Sequence, residues 1–258
     1  MMRTSVLVGI MWLLPLLGQA SDSRREQEFA AAIKRHLTIG EIVDLPVKDR
    51  TFLAIHTRSL IDEPYGTAII LHDQGGFPDQ GGVIHSLRIT LPQHRWNTLA
   101  IQLPLWEMGV AEHEYYDLFP EAKERIGAAI AFLRQSGEQS IAMVGHGLGA
   151  LMGLYSLNGD PQNIAAFAAI SLAVPDTGRQ YAQTLAFIEQ LQLPLLDIYG
   201  ENDLPAVVDS ARKRRLAALK NPDYRQVQLD DAGHLFRHNN YLLSKRVAGW
   251  LGRGFIER

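Results

Sequence analysis

The sequence predicts an α/β architecture: a mostly parallel twisted sheet behind an antiparallel N-terminal hairpin, with helices on both faces. Three observations predict it. Two alternating segments, Glu41 to Val47 and Thr51 to Thr57, flank the tripeptide "KDR" and read as a hairpin. The stretch "GTAIILHD", Gly66 to Asp73, is a continuous apolar run of the kind buried on both faces. From there strand-like and helix-like segments alternate to the end of the chain, which is the signature of repeated βα units.

Each element has its own reason. "SDSRREQEFAAAIKRHL" offers a capping residue and places Phe29, Ile33 and Leu37 at helical spacing, so a helix precedes the hairpin. After the apolar run, Val83 to Leu91 reads as helix, "WNTLAIQLP" as strand, Pro120 to Gln135 as amphipathic helix and "SIAMVG" as strand. Leu148 to Leu157 is helical, "AAFAAISLAV" a strand, Tyr181 to Leu191 a helix and "LPLLDIYG" a strand. Helix Ala206 to Leu219, strand "YRQVQLDDAG" and a last helix near Tyr241 to Leu251 complete the series. Leu105 to Phe119 fits neither period and is long for a connection. It carries Trp106, His113, Tyr115, Tyr116 and Phe119, and reads either as a flap inserted over a ligand site or as an irregular loop whose aromatics pack on neighbouring helices.

Bulk properties narrow the function. The 258 residues are 47% hydrophobic and 21% charged, enough for one sizeable core. A formal charge of -3 gives no basic footprint, so no nucleic-acid partner is expected. The opening "MMRTSVLVGIMWLLPLLGQA" has a basic Arg3, an apolar run broken by Pro15 and a small-residue end, which predicts a secretory signal over 1–20 cleaved after Ala20. The run is shorter than a bilayer span. With no cysteine for a disulfide or a lipid anchor, 21–258 is expected to be one exported domain without membrane insertion, in a bacterial periplasm.

Ligands of open parallel sheets bind outside the carboxyl ends of the strands. Three such ends stand out: "GHGLGA", "YGENDLP" and "DDAGHLF". The first has the frame of a nucleophile elbow, strand followed by G-x-S-x-G and a helix, but Gly147 stands where the serine would be. Asp203 and His234 follow in the order of an acid and a base. Each alone is an ordinary structural residue, a turn former or one half of a loop-tying hydrogen bond. Together, at triad spacing, they point to a site of hydrolase ancestry.

On these residues the chain resembles the α/β-hydrolase superfamily over nearly all of its mature length. "LHDQGGFP", Leu71 to Pro78, stands where that superfamily has His-Gly and further glycines that contribute to an oxyanion hole. His72, Gly75 and Gly76 match loosely, and Asp73 replaces the usual glycine. A carboxylate aimed into a hole built for negative charge would oppose its function, so Asp73 is expected to turn away. More narrowly, "GVIHSLRITLPQHRWNTLAIQLP", "YRQVQLDDAGHLF" and "RVAGWL" resemble a family of exported proteobacterial proteins of unknown function that lack the nucleophile serine.

Glycine at 147 relieves the strained backbone of an elbow, a matter of about 1–3 kcal/mol, while removing the nucleophile an acyl-enzyme needs. What remains in such a frame is residual catalysis of roughly 10³–10⁴ over water. Ser171 and Asp73 are candidate substitutes outside the elbow, and His234 oriented by Asp203 could activate a water held in the space left at Gly147. The sequence therefore predicts a non-catalytic binder of an acyl, ester-like or protein ligand, with a His234–Asp203 hydrolase as the alternative. His72, Asp73, Gln74, His146, Gly147 and Leu148 are the candidate ligand-binding residues. The helix opening at Leu148 presents free N–H groups suited to a carboxylate, phosphate or ester carbonyl. His146 is expected to point away and pack. No cofactor is implied, and His72, His85, His94, His113 and His238 show no metal-ligand spacing, so no metal is expected. "ARKRRLAALK", Ala211 to Lys220, reads as a solvated helix face with Leu216 and Leu219 as its apolar side.

Overall fold

The structure is a computed structural model that describes residues 21–161 and 164–256. The predicted signal over 1–20 lies outside the described residues. Among those described, no helix is long and apolar enough to cross a membrane.

Eight strands form one sheet in the order β1-β2-β4-β3-β5-β6-β7-β8. Strands β1 (Glu41–Val47) and β2 (Arg50–Thr57) make the predicted hairpin, and β2 pairs antiparallel with β4 (Trp96–Ile101). Every other pairing is parallel: β3 (Gly66–Leu71) between β4 and β5 (Ile141–His146), then β6 (Ala166–Ile170), β7 (Leu195–Asn202) and β8 (Tyr224–Gly233). Pro46 lies in β1, an edge strand, where its missing N–H costs no ladder bond.

The central strands are apolar throughout because both faces are covered. On β3, Ile69 and Leu71 point into one core with Met143, while Ala68 and Ile70 point into the other with Val144. The first core is roofed by α4 (Phe119–Gln135), α5 (Leu148–Leu157) and α6 (Thr184–Gln190), the second by α2 (Val83–Thr90) and α9 (Asn240–Ile256). Helix α1 (Ser23–His36) lays Ile33 against Leu53 and Ile55 of β2. Its start is capped by Asp22, whose carboxylate accepts the N–H of Arg25.

Two local expectations are corrected. The helix foreseen over Ala206 to Leu219 is two, α7 (Pro205–Val208) and α8 (Ala211–Ala217). Arg214 turns inward and donates to the Ser210 hydroxyl and to the Val207 carbonyl at the break, a carbonyl that a continuous helix would have paired itself. Its guanidinium also grips Asp197 on β7 through Nε at 2.8 Å and Nη2 at 3.1 Å, with both side chains fully buried. In the stretch read as a solvated helix face, Leu216 and Leu219 are 53% and 75% exposed, whereas Arg214 is buried.

Segment 105–119 divides between its two readings. It contains α3 (Glu112–Tyr115) and a single 3-10 turn over Tyr116–Leu118. Tyr115, Tyr116, Leu118 and Phe119 are buried in the core, whereas the run before them, with Met108 83% exposed, rims a cavity.

Candidate functional site

Strand β5 ends in a sharp turn into α5, and Gly147 occupies the turn with φ 54° and ψ −122°. That left-handed conformation is disfavoured for any residue with a Cβ. Behind it, Gly149 lets α5 approach β3 so closely that a Cβ would overlap the His72 carbonyl. The elbow frame read from the sequence is thus present in backbone geometry. The space above Gly147 is not.

Asp73, on the loop after β3, points inward and fills that space. A Cβ at position 147 would overlap its carboxylate. Its Oδ1 accepts the Leu148 N–H at 2.7 Å, and its Oδ2 accepts from His234 Nε2 at 2.8 Å. The expectation that Asp73 turns away is therefore overturned. Glycine at 147 removes the steric obstacle, and the free N–H at the start of α5 together with the imidazole supply the two donors a carboxylate needs. The same carboxylate takes the direction in which a side chain at 147 would project. It also takes up the α5 N–H that was expected to meet an anionic ligand.

On the other side of the imidazole, His234 Nδ1 donates to Asp203 Oδ1 at 2.9 Å. Asp203, with its side chain fully buried, also accepts the N–H of Leu204 at 2.8 Å, the N–H of Gly200 at 3.2 Å and the hydroxyl of Ser171. Ser171, the other candidate substitute, sits at φ 53° just beyond β6 and donates its hydroxyl to Asp203. As a nucleophile it is already committed.

His234 is thereby clasped between two carboxylates, and its ionisation follows. Burial favours neutral imidazole, but the bonds to Asp203 and Asp73 and the charge of both outweigh it, raising the pKa to about 10. Burial likewise works against ionised Asp73, yet His234 and the Leu148 N–H outweigh it and hold its carboxyl at about 2. Asp203 is also lowered against its own burial, chiefly by His234 and Ser171. Both shifts follow from the same contacts: the His234 ring carries its proton between two carboxylates, and its Nε2 is bonded to Asp73.

The other candidate residues have structural partners. His72 is buried, with Nδ1 donating to the Asp73 carbonyl at 2.8 Å and Nε2 accepting the Leu103 N–H at 2.9 Å. Burial drops its pKa to about 4 and keeps it neutral. It shapes the Asp73 loop without reaching the cavity, which corrects its assignment as a ligand contact. His146 stacks on His234 at 4.9 Å and donates from Nε2 to the His234 carbonyl at 2.9 Å, so it packs as expected and does not face the main cavity. Its pKa too is lowered by burial. Among the described residues, Asp73, His146 and His234 bring donor atoms within 4.8 Å of one another, the closest approach to a metal-ligand set. A divalent metal there would need neutral Nε2 on His234, and the proton on that nitrogen is what holds Asp73.

Asp73, Gln74, Gly147, Leu148 and His234 border a cavity of about 440 Å³. Tyr115, Leu151, Leu204 and Val207 give it apolar walls, and Glu107 and Glu112 stand on its flap side. Arg25 was missed by sequence reasoning. It comes from α1, and its guanidinium donates to the Trp106 carbonyl at 2.9 Å and the Gly75 carbonyl at 3.0 Å, tying helix, flap and Asp73 loop together. Gln74 pins the same flap through the Val110 carbonyl at 3.2 Å. No periodicity marks Arg25 out among the charged residues of an amphipathic helix, since its role depends on a partner 81 residues away.

Comparison with solved structures agrees with the fold. Est1E from Butyrivibrio proteoclasticus superposes with a TM-score of 0.67 at 16% identity, over 84% of this chain and 99% of that one. The esterase Pf2001 of Pyrococcus furiosus gives 0.68 at 15% identity, over 86% and 95%. A dienelactone hydrolase from Anabaena variabilis gives 0.66 at 18% identity, over 84% and 99%. No curated protein sequence matches the chain. The architecture is the α/β-hydrolase fold, which by itself does not specify an activity. A family model matches residues 18–115 and 117–253, and the chain belongs to the family described as "Protein of unknown function (DUF3530)".

Proposed function

We propose that this protein is a non-catalytic member of the hydrolase fold that binds a small, neutral, acyl or ester-like ligand in the cavity above Asp73. One observation carries the reading: the Asp73 carboxylate stands at the nucleophile position, bonded to both the Leu148 N–H and His234. No serine stands at the elbow, the bonds to Asp73 and Asp203 favour a protonated His234, and the elbow N–H that would meet an oxyanion is engaged by Asp73. The cavity itself remains, at a volume within the roughly 300–1,000 Å³ of small-ligand sites. Its floor is a carboxylate, so like charge selects against an anionic ligand and favours a neutral one with a hydrogen-bond donor or an apolar body.

A second reading has one observation in its favour. Asp73 borders the cavity with 19% of its side chain exposed, where a carboxylate nucleophile would meet a substrate. The test separates the two. Purified protein is mixed with p-nitrophenyl hexanoate, and separately titrated calorimetrically with ethyl hexanoate and with hexanoate. Binding of the ester, no heat from the anion and no nitrophenol release fit the first reading. Nitrophenol release that disappears in Asp73→Asn establishes the second and overturns the first. Gly147→Ser alone is expected to stay inert because Asp73 obstructs the hydroxyl, whereas Asp73→Gly with Gly147→Ser frees both hole and base and gains turnover.

A further inference from the structure

A second cavity adjoins the Asp73 site. Asp73 borders it and the main cavity alike, so one residue stands between the two. His146, which does not face the main cavity, borders this one, and so do the start of α2 and Arg237. Its two ends differ in chemistry.

The inner end is set by His146. Its side chain is buried at 3% exposure, and its Nε2 meets the His234 carbonyl at 2.9 Å. A carbonyl only accepts, so Nε2 carries the ring proton, and burial keeps the ring neutral. Nδ1 is then a bare lone pair, and among the described residues nothing donates to it. Buried polar atoms are ordinarily paired, so this one calls for a donor brought in from the cavity. Asp73 lies alongside, with donor atoms of the two residues within 4.8 Å, and already accepts from the Leu148 N–H and His234.

Donors gather at the outer end. Helix α2 opens at Gly82, where φ is 90°; no side chain caps it, and its first turn holds no acidic residue. The N–H groups of Val83 and Ile84 have no intrahelical partner, and both residues border the cavity. Arg237 is exposed at the rim and makes no ion pair among the described residues. A Cβ on Gly81 would meet nothing within 4 Å, so the entrance is open. An uncapped helix start beside a guanidinium suits a carboxylate.

We propose that this second cavity binds a small hydroxycarboxylate, its hydroxyl donating to His146 Nδ1 and its carboxylate received by the start of α2 and Arg237. The charge of Asp73 sets that orientation, because a carboxylate turned inward would face it. One open lone pair matches one O–H, whereas an ammonium would bring three N–H groups to the same end. A cavity of about 280 Å³ stands at the small end of the roughly 300–1,000 Å³ of ligand sites, which fits a molecule of few atoms.

Purified protein is titrated calorimetrically with glycolate, lactate and 3-hydroxybutyrate, with acetate, propionate and butyrate, which lack only the hydroxyl, and with alanine. At least one hydroxycarboxylate is expected to bind about tenfold or more tighter than its hydroxyl-free partner, the worth of one hydrogen bond. No binding up to about 10 mM, equal binding within every pair, or tighter binding of alanine than of lactate overturns the proposal. Nitrogen NMR reads the contact directly: the His146 Nδ1 resonance should move on binding, and an unmoved resonance puts the ligand elsewhere and overturns it. Arg237→Gln, a change at an exposed position, should weaken binding about tenfold; unchanged affinity counts against the site. Ethyl hexanoate, the probe of the main cavity, should not displace the hydroxycarboxylate, and displacement would put both in one site and overturn the proposal. If ethyl hexanoate itself fails to bind, the reading of the main cavity falls while the His146 resonance still decides this one.

Discussion

Asp73 and Gly147 act as one unit, and the consequences can be measured. Asp73→Asn deprives His234 of one carboxylate, so its pKa falls toward the ordinary imidazole value, a shift that histidine NMR titration reads directly. The same change leaves a clasped imidazolium half paired. About 3 kcal/mol of stability should go, the low end for breaking a buried ion pair because a fifth of the side chain meets the cavity. Gly147→Ala should cost the roughly 1–3 kcal/mol of a left-handed non-glycine residue and more for the overlap with Asp73. Combined with Asp73→Gly, the overlap disappears. A double-mutant cycle in urea should therefore show favourable coupling of about 1 kcal/mol or more; additivity would mean the two positions do not share space. The acid and base were legible at this scale, since chain order and strand ends place Asp203 and His234. The rotation of Asp73 was not. A side chain on a loop goes where there is room and a donor, and both came from Gly147 and Leu148, 74 and 75 residues further along the chain.

At the scale of elements, the α7–α8 break and segment 105–119 make opposite predictions from neighbouring residues. Arg214→Ala strands the buried Asp197 carboxylate and opens the break, so about 3–5 kcal/mol should be lost in chemical denaturation. Leu219→Lys, on the same basic stretch, should change stability by less than about 0.5 kcal/mol because the leucine is already exposed. In segment 105–119, Tyr115→Ala should destabilise the fold by about 3 kcal/mol, whereas Met108→Ser should leave the melting temperature alone. Strands and most helices were readable because burial on one or two faces imposes a period on the residues that make them. The basic helix was read as a solvated face, which fits its leucines but not Arg214, because the partner that turns Arg214 inward is a carboxylate on β7, invisible to a hydrophobic pattern.

Over the whole molecule, the shifted histidines set how stability depends on pH. His234 binds its proton more tightly folded than unfolded, so its contribution is complete below the ordinary value of 6.5 and is lost as pH rises through about 10. His72 does the reverse. Buried and neutral with a pKa of about 4, it weakens the fold as pH falls from 6.5 toward that value, and His56 and His146, both lowered by burial, add to the same limb. Urea unfolding should therefore show maximum stability near pH 6.5, falling on each side by up to about 1.4 kcal/mol per pH unit for each proton exchanged. Asp73→Asn should flatten the alkaline limb and, below about pH 4, also remove the contribution of the depressed Asp73 carboxyl; an unchanged alkaline limb would rule out the clasped imidazolium. Local patterning alone determined the parallel sheet, its antiparallel opening, the elbow turn and the loops that carry Asp203 and His234, because backbone period and strand ends are properties of short stretches. Only the tertiary structure decided what the elbow holds, which arginines are buried and where α1 docks, because each depends on complementary charges and empty space contributed by segments far apart in the sequence.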